Sequence, residues 1–354
     1  MKRNKVSKYV CSILLLVLIF YLTFHTIFSH HNINNIVRDI RNIDIKYILI
    51  GLFLTFLYFI LQGTYMKRNL KLLDEDIKIH KGIFYSIIEF FFSGITPSST
   101  GGQPVQLYYM NKDKIPKKKS VITLLLNTIY FKMIIVAFAI LIFIFDSKLI
   151  LSLSPLFVVF YILGILADSF MIIGGYLLLF HNRLLKKLLV LVEKFVRLFK
   201  KDFDLTIDES VEEYKNSVKL LKGHFWELSF ELFITLLQRL CMFSISYVIY
   251  RAFGLSEYNY LQIIIIQISV QTAIEFVPLP GGAGVSEFLL NAFFITAFGE
   301  VLAPAAMIAT RTFSFYIPLV GSGLIILCNY IKDNFIKGRW RYEWKINTWC
   351  CNWI

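Results

Sequence analysis

Apolar runs of helical length recur along the chain, each closed by a polar or basic stretch. About 20 apolar residues in a helix cross the hydrocarbon core of a bilayer. Full spans are therefore predicted at 9–29, 47–66, 120–145, 155–180, 225–250 and 301–330. Two further apolar segments, 83–110 and 261–298, are interrupted. The first breaks at Ser93-Gly-Ile-Thr-Pro-Ser-Ser-Thr-Gly-Gly-Gln-Pro-Val-Gln106, the second at Val277-Pro-Leu-Pro-Gly-Gly-Ala-Gly-Val-Ser-Glu287. Proline and clustered glycine end helices, so each segment reads as two short helices around a break. The fold class is an all-α polytopic membrane protein, a single membrane domain over 1–354, with about six full spans and two broken hairpins.

Charge sets the orientation. Lys2, Arg3, Lys5 and Lys8 precede the first span. Lys67, Arg68, Lys71, Lys78 and Lys81 follow the second, and Lys112, Lys114, Lys117, Lys118 and Lys119 precede the third. The loop 181–224 and the tail 331–354 are also basic, whereas the alternate segments hold only Arg38, Arg41, Lys46, Lys148 and Arg251. Basic flanks stay inside, so both termini are expected in the cytoplasm. The segment 83–110 then starts and ends on the inner face, and it is too short for two crossings. It is expected as a re-entrant hairpin with 94–102 at its tip. The segment 261–298 is expected to enter and leave from outside. Broken segments of opposite topology point to a midplane site in transporters; an ordinary pair of kinked spans is the plainer alternative.

A chain that is 57% hydrophobic over 354 residues is no soluble domain. Its net charge of +13 lies at the ends of spans, which indicates contact with anionic lipid rather than nucleic acid. Residues 183–201 place Arg183, Lys186, Lys187, Lys194, Arg197 and Lys201 opposite a leucine- and phenylalanine-rich face, a basic amphipathic helix suited to the inner leaflet. The N-terminus resembles a signal sequence but lacks a small-x-small cleavage site, so an uncleaved first span is expected. Cys11, Cys241 and Cys328 fall within spans and Cys350 and Cys351 are adjacent, without ligand or disulfide spacing. The six histidines show no metal spacing, and no Gly-x-Ser-x-Gly, P-loop or His-Glu-x-x-His occurs. No cofactor or metal is expected, and hydrolytic chemistry finds no support.

Candidate binding groups gather at the two breaks. Gln103-Pro104 and Ser286-Glu287 suit helix starts, and a helix start offers free N–H donors to an anion. Thr96, Ser98, Ser99, Thr100, Gln103 and Gln106 crowd the first tip with hydroxyls and amides. Gly101, Gly102, Gly281, Gly282 and Gly284 either let a headgroup approach the backbone or let the hairpins pack tightly. Lys132, Arg239 and Arg311 lie deep within spans, and Glu89, Asp168, Glu227, Glu231, Glu275 and Glu287 also fall inside apolar segments. A charge at the bilayer centre costs at least about 2.5–3.5 kcal/mol, so each is expected to be paired or to line a polar path. The cations either pair with Glu89, Glu275 or Glu287, or receive a phosphate. The phosphate reading is preferred for Arg311, with Asn127, Gln238 and Gln271 as helpers.

Three stretches carry a resemblance: Ile95-Thr-Pro-Ser-Ser-Thr-Gly-Gly-Gln-Pro-Val-Gln-Leu-Tyr-Tyr-Met110, Pro278-Leu-Pro-Gly-Gly-Ala-Gly-Val-Ser-Glu287 and Arg311-Thr-Phe-Ser-Phe-Tyr-Ile-Pro-Leu-Val-Gly321. With them the chain resembles the lysylphosphatidylglycerol synthase membrane-domain family, the flippase-like domain of the multiple peptide resistance factor. The resemblance implies movement of a phospholipid, such as aminoacylated phosphatidylglycerol, between leaflets of a bacterial inner membrane, in support of cationic peptide resistance. In full-length members a soluble domain follows and transfers lysine from lysyl-tRNA to phosphatidylglycerol. This chain stops soon after its last span, so transferase activity is expected only with a separate aminoacyltransferase as partner. A non-transporting scaffold is the remaining reading, and homo-oligomerisation stays open.

Overall fold

The computed structural model describes residues 33–96, 99–145, 155–197, 207–274 and 285–336. The expected span 9–29, the break at 275–284 with Glu275, Gly281, Gly282 and Gly284, the residue Ser98 and the tail beyond 336 lie outside them. Every regular element among the described residues is a helix. In order these are α1 (Ile33–Arg41), α2 (Ile45–Leu72), α3 (Ile79–Ile95), α4 (Gly102–Lys112), α5 (Lys117–Phe145), α6 (Pro155–Phe180), α7 (Asn182–Arg197), α8 (Ile207–Lys219), α9 (Phe225–Ala252), α10 (Tyr260–Ile274), α11 (Val285–Arg311) and α12 (Ile317–Ile336), with a π-helical turn Thr312–Tyr316 between the last two. Helices α2, α5, α6, α9 and the run from α11 to α12 are long and apolar enough to cross a membrane. The protein is multi-pass. Large apolar side chains such as Phe53, Phe56, Ile144, Phe170 and Leu324 are exposed on these helices, as a lipid-facing surface requires.

The antiparallel pair α2 and α9 forms the axis. Arg68 near the end of α2 binds Glu231 near the start of α9, with Nε 2.5 Å from Oε1. Ten residues back along α2, the guanidinium of Arg239 lies 5.5 Å from the centre of the Tyr58 ring. The segments 67–81, 111–119 and 207–222 meet at the Arg68 end, tied by Lys119 to Glu75 at 2.8 Å, by Lys81 to Asp113 and by Lys118 to Glu213. Tyr214, Val218 and Leu221 bury themselves there beside Tyr65, Leu70 and Met110. The basic loops that charge bias assigned to one face thus share one end of the bundle.

Helices α3 and α4 are too short to span. They form a hairpin whose base is closed at the basic end by Lys81 and Tyr85 on Asp113, the Tyr85 hydroxyl donating to Oδ2 at 2.7 Å. The second broken segment opens at the other end. Tyr258 donates to the Thr296 carbonyl at 3.0 Å, and Phe253 and Phe298 meet edge to face, all where α9 ends. There α11 bends at Gly299, whose φ of 74° lies in the left-handed region. The two hairpins therefore open at opposite ends of α9.

Three local features differ from expectation. Residues 33–41, which carried no assignment, form a short helix whose Ile36 is buried while Arg38 and Arg41 flank the exposed side. The last span is not one straight helix from 301 to 330, because a π turn interrupts it at 312–316. The amphipathic helix ends at Arg197 among the described residues, and one edge of it, Leu185 and Leu189, docks on the bundle, leaving Leu184, Leu188 and Leu191 exposed beside its lysines.

Candidate functional site

The first tip is built by its own polar groups. Thr96 Oγ1 donates to the Phe92 carbonyl at 2.6 Å and accepts from the Gly101 N–H at 2.8 Å. Ser93 donates to the Ser99 carbonyl at 3.3 Å, and Ser99 takes a φ of 54°, uncommon without glycine. Gly102 starts α4 hard against α3. A Cβ there would lie 2.7 Å from the Glu89 carbonyl oxygen and 2.1 Å from Ser93 Oγ. This glycine serves close packing within the hairpin. Gln106 is fully buried and donates to the Tyr85 carbonyl at 3.2 Å. Gln103 reaches across to Thr128 of α5, Nε2 to Oγ1 at 2.5 Å, and stays exposed along with Ser99 and Thr100. Of the residues expected to hold a headgroup, Thr96, Gly101, Gly102 and Gln106 shape the tip, and Ser99, Thr100 and Gln103 face outward from it. The side chain of Glu287 is outside the described set.

Each of the three deep cations lies over an aromatic ring. Arg239 lies 3.9 Å from the centre of the Phe131 ring on α5 and 5.5 Å from that of Tyr58 on α2. Tyr58 packs on Phe90 of α3, and Phe90 on Phe315 of the π turn. Arg311 lies at the other end of this aromatic series, 4.4 Å from the Phe315 ring centre. Lys132 shares the Phe131 ring, at 5.1 Å from its centre. Cations over aromatic faces are held without losing their charge. Among the described residues Lys132 takes Asp168 of α6 as its ion-pair partner, Nζ to Oδ1 at 2.7 Å, with side chains 10% and 2% exposed. Of the acids that the sequence offered to the deep cations, Glu275 and the Glu287 side chain lie outside the described residues, and Glu89 lies within electrostatic reach of Arg239 and accepts from Gln62 Nε2.

The π turn is fixed from α2. Thr55 Oγ1 lies 2.8 Å from the Phe313 carbonyl, a group that the altered helical turn leaves available. Thr55→Val keeps the shape and removes the donor. The expected cost is about 1–3 kcal/mol, the penalty of an unsatisfied buried carbonyl, read as a lower melting temperature in detergent; an unchanged melting temperature rules out this bond as the anchor of the turn.

Tyr58, Gln62, Phe131 and Phe315 were missed from the sequence. Their signal was present in part, since Tyr58, Gln62, Tyr65 and Asn69 recur at helical spacing within an apolar span. A lone glutamine at such depth already indicates a polar partner on a neighbouring helix.

Over residues 9–322 the chain matches the family described as lysylphosphatidylglycerol synthase TM region. No curated protein matches it.

Proposed function

The chain belongs to the lysylphosphatidylglycerol synthase transmembrane-region family, and from that premise we propose that it carries an anionic or aminoacylated phospholipid between the leaflets of a bacterial inner membrane, both termini being cytoplasmic. Family membership ties it to membrane lipid; the arrangement of charge supports the finer reading. The observation that carries it is the pair Arg239 and Arg311 at the two ends of the Tyr58–Phe90–Phe315 series, beside the tip of a hairpin that reaches only part way through the bundle. Guanidinium groups bind phosphate with two parallel donors. Deep within a bundle they would stand in for the water that a headgroup loses. Gln103 and the tip hydroxyls would hold the rest of the headgroup while the acyl chains remain in lipid. In this reading an aminoacyltransferase acts upstream as a partner, and outward delivery of cationic lipid supports resistance to cationic peptides.

Purified protein in liposomes with a labelled phosphatidylglycerol tests this. Arg239→Gln and Arg311→Gln should each slow transfer by at least about tenfold, the loss of one charged hydrogen bond to phosphate. Wild-type rates in both folded variants overturn the assignment, and no transfer by the wild type overturns the function.

A further inference from the structure

We propose that the seam between α2 and α9 is a proton path from the basic end of the bundle to Glu89, and that protonation of Glu89 releases Arg239 for an anionic headgroup. The second half rests on the lipid-transfer reading; the path itself does not.

The seam begins at solvent. The Arg68 side chain is 38% exposed, and Glu231, fully buried, lies directly behind it. Along α2 the next inward-facing groups are Asn69, Tyr65, Gln62 and Tyr58, none more than 5% exposed. From Arg68 to Tyr58 is about 15 Å of helix, which carries the seam to about the middle of a 30 Å core. Tyr65 lies within electrostatic reach of both Glu231 and Glu89, and Gln62 closes the series by donating to Glu89. Along this line Glu231 Oε2, both amide atoms of Asn69, Tyr65 Oη and Gln62 Oε1 find no hydrogen-bond partner among the described residues. Buried polar atoms are nearly always satisfied. A purely structural polar seam would pair its own atoms; a polar seam that leaves them open is suited to bridging water. Carboxylates and hydroxyls in series inside a membrane are the usual parts of a proton relay.

The charge balance at the inner terminus gives the relay a use. Glu89 packs against the Gly102 backbone of α4, accepts from Gln62 of α2, and lies within electrostatic reach of Arg239 from α9 and of Tyr58 and Tyr65 from α2. Helix α12 meets α3 through Leu319 and Gly323. At the outer terminus Glu231 faces Arg68 from α2 and Tyr130 from α5. Glu89 and Arg239 are opposite charges within electrostatic reach of each other, so each partly offsets the cost of the other at depth. A proton taken from water by Glu231 passes to Tyr65 Oη, which releases its own proton onward to Glu89. Only O–H bonds form and break, and one proton arrives. Arg239 is then left with an uncompensated charge at depth, which is costly, and a phosphate satisfies it. When the phosphate departs, Arg239 draws Glu89 back to the carboxylate and the proton leaves.

Two readouts separate the path from the transport. The first is infrared difference spectroscopy of the full chain in phosphatidylglycerol vesicles between acid and neutral baths. It should show a carboxyl band that Glu89→Gln removes and whose hydrogen–deuterium exchange Tyr65→Phe slows about tenfold, as removal of one relaying hydroxyl predicts. The second is labelled-lipid transfer under a gradient of about one pH unit, a tenfold proton ratio. The gradient should speed wild-type transfer severalfold, and a protonophore should abolish that gain. Glu89→Gln should transfer lipid at a rate indifferent to the gradient. Absence of the band, or exchange untouched by Tyr65→Phe, overturns the path. A band without any lipid transfer supports the path and overturns the proposed function. Transfer indifferent to the gradient in the wild type overturns the coupling alone.

Discussion

Asp168→Leu is expected to destabilise the protein by about 3–5 kcal/mol, the cost of stranding one member of a buried ion pair. Lys132 and Asp168 project from α5 and α6 toward each other, with Nζ and Oδ1 2.7 Å apart and little of either side chain exposed. The same helix pair is joined by a Tyr161 hydroxyl donating to the Ala139 carbonyl at 2.8 Å, which holds the two helices together around the pair. Lys132→Met strands the carboxylate instead and should cost a similar amount. The double variant Lys132→Met/Asp168→Leu leaves neither charge, and well-packed apolar replacements of a buried pair are often neutral. It should recover most of the loss. Thermal unfolding in detergent of the four proteins gives the coupling directly. Losses that simply add would mean the two residues are not each other's partner in folding.

The same pair shows where sequence stops being informative. Hydropathy and charge placed the spans closely: 155–180 matches α6 at both ends, and 47–66, 120–145 and 225–250 lie within α2, α5 and α9. Those features depend only on the local run of residues and on how much apolar length a bilayer needs. The hairpin at 83–110 was legible for the same reason, since Pro97, Gly101 and Gly102 break a run that is too short to cross twice. Partner choice was not legible. Lys132, Arg239 and Arg311 could be recognised as deep cations, but which acid or ring each meets depends on helix neighbours and rotation, and both are set by packing across the bundle. Asp168 sits 36 residues from Lys132 and Phe131 serves two cations at once, neither of which a local pattern encodes. The glycines at the tip were legible as necessary, yet Gly102 turns its open side to the Glu89 backbone instead of to a ligand.

Close glycine packing leads to the other large effect, at Gly82. Helix α3 crosses α2 where Gly82 meets Gly63, and a Cβ on Gly82 would lie 2.3 Å from the Gly63 carbonyl oxygen. That neighbour is backbone, so no rotamer change relieves it. In a bilayer apolar side chains gain little by leaving lipid, and helices associate through such close small-residue contacts. Gly82→Val should therefore force α3 away from α2 and loosen the hairpin at its base, next to the Lys81–Asp113 contact. The expected loss is at least about 3 kcal/mol, the upper range for overpacking, with a matching fall in the yield of folded protein. The control is Gly174→Val on α6, where a Cβ meets nothing within 4 Å. It carries the same change of composition into a helix of the same protein, and should leave the melting temperature within a few degrees of wild type, as surface changes do. Equal losses at the two positions would remove the crossing as the cause, since valine is a better helix former than glycine and propensity alone predicts no loss at either. A loss confined to Gly82 would tie the docking of the first hairpin, and with it the position of Glu89 against Arg239, to a single backbone contact.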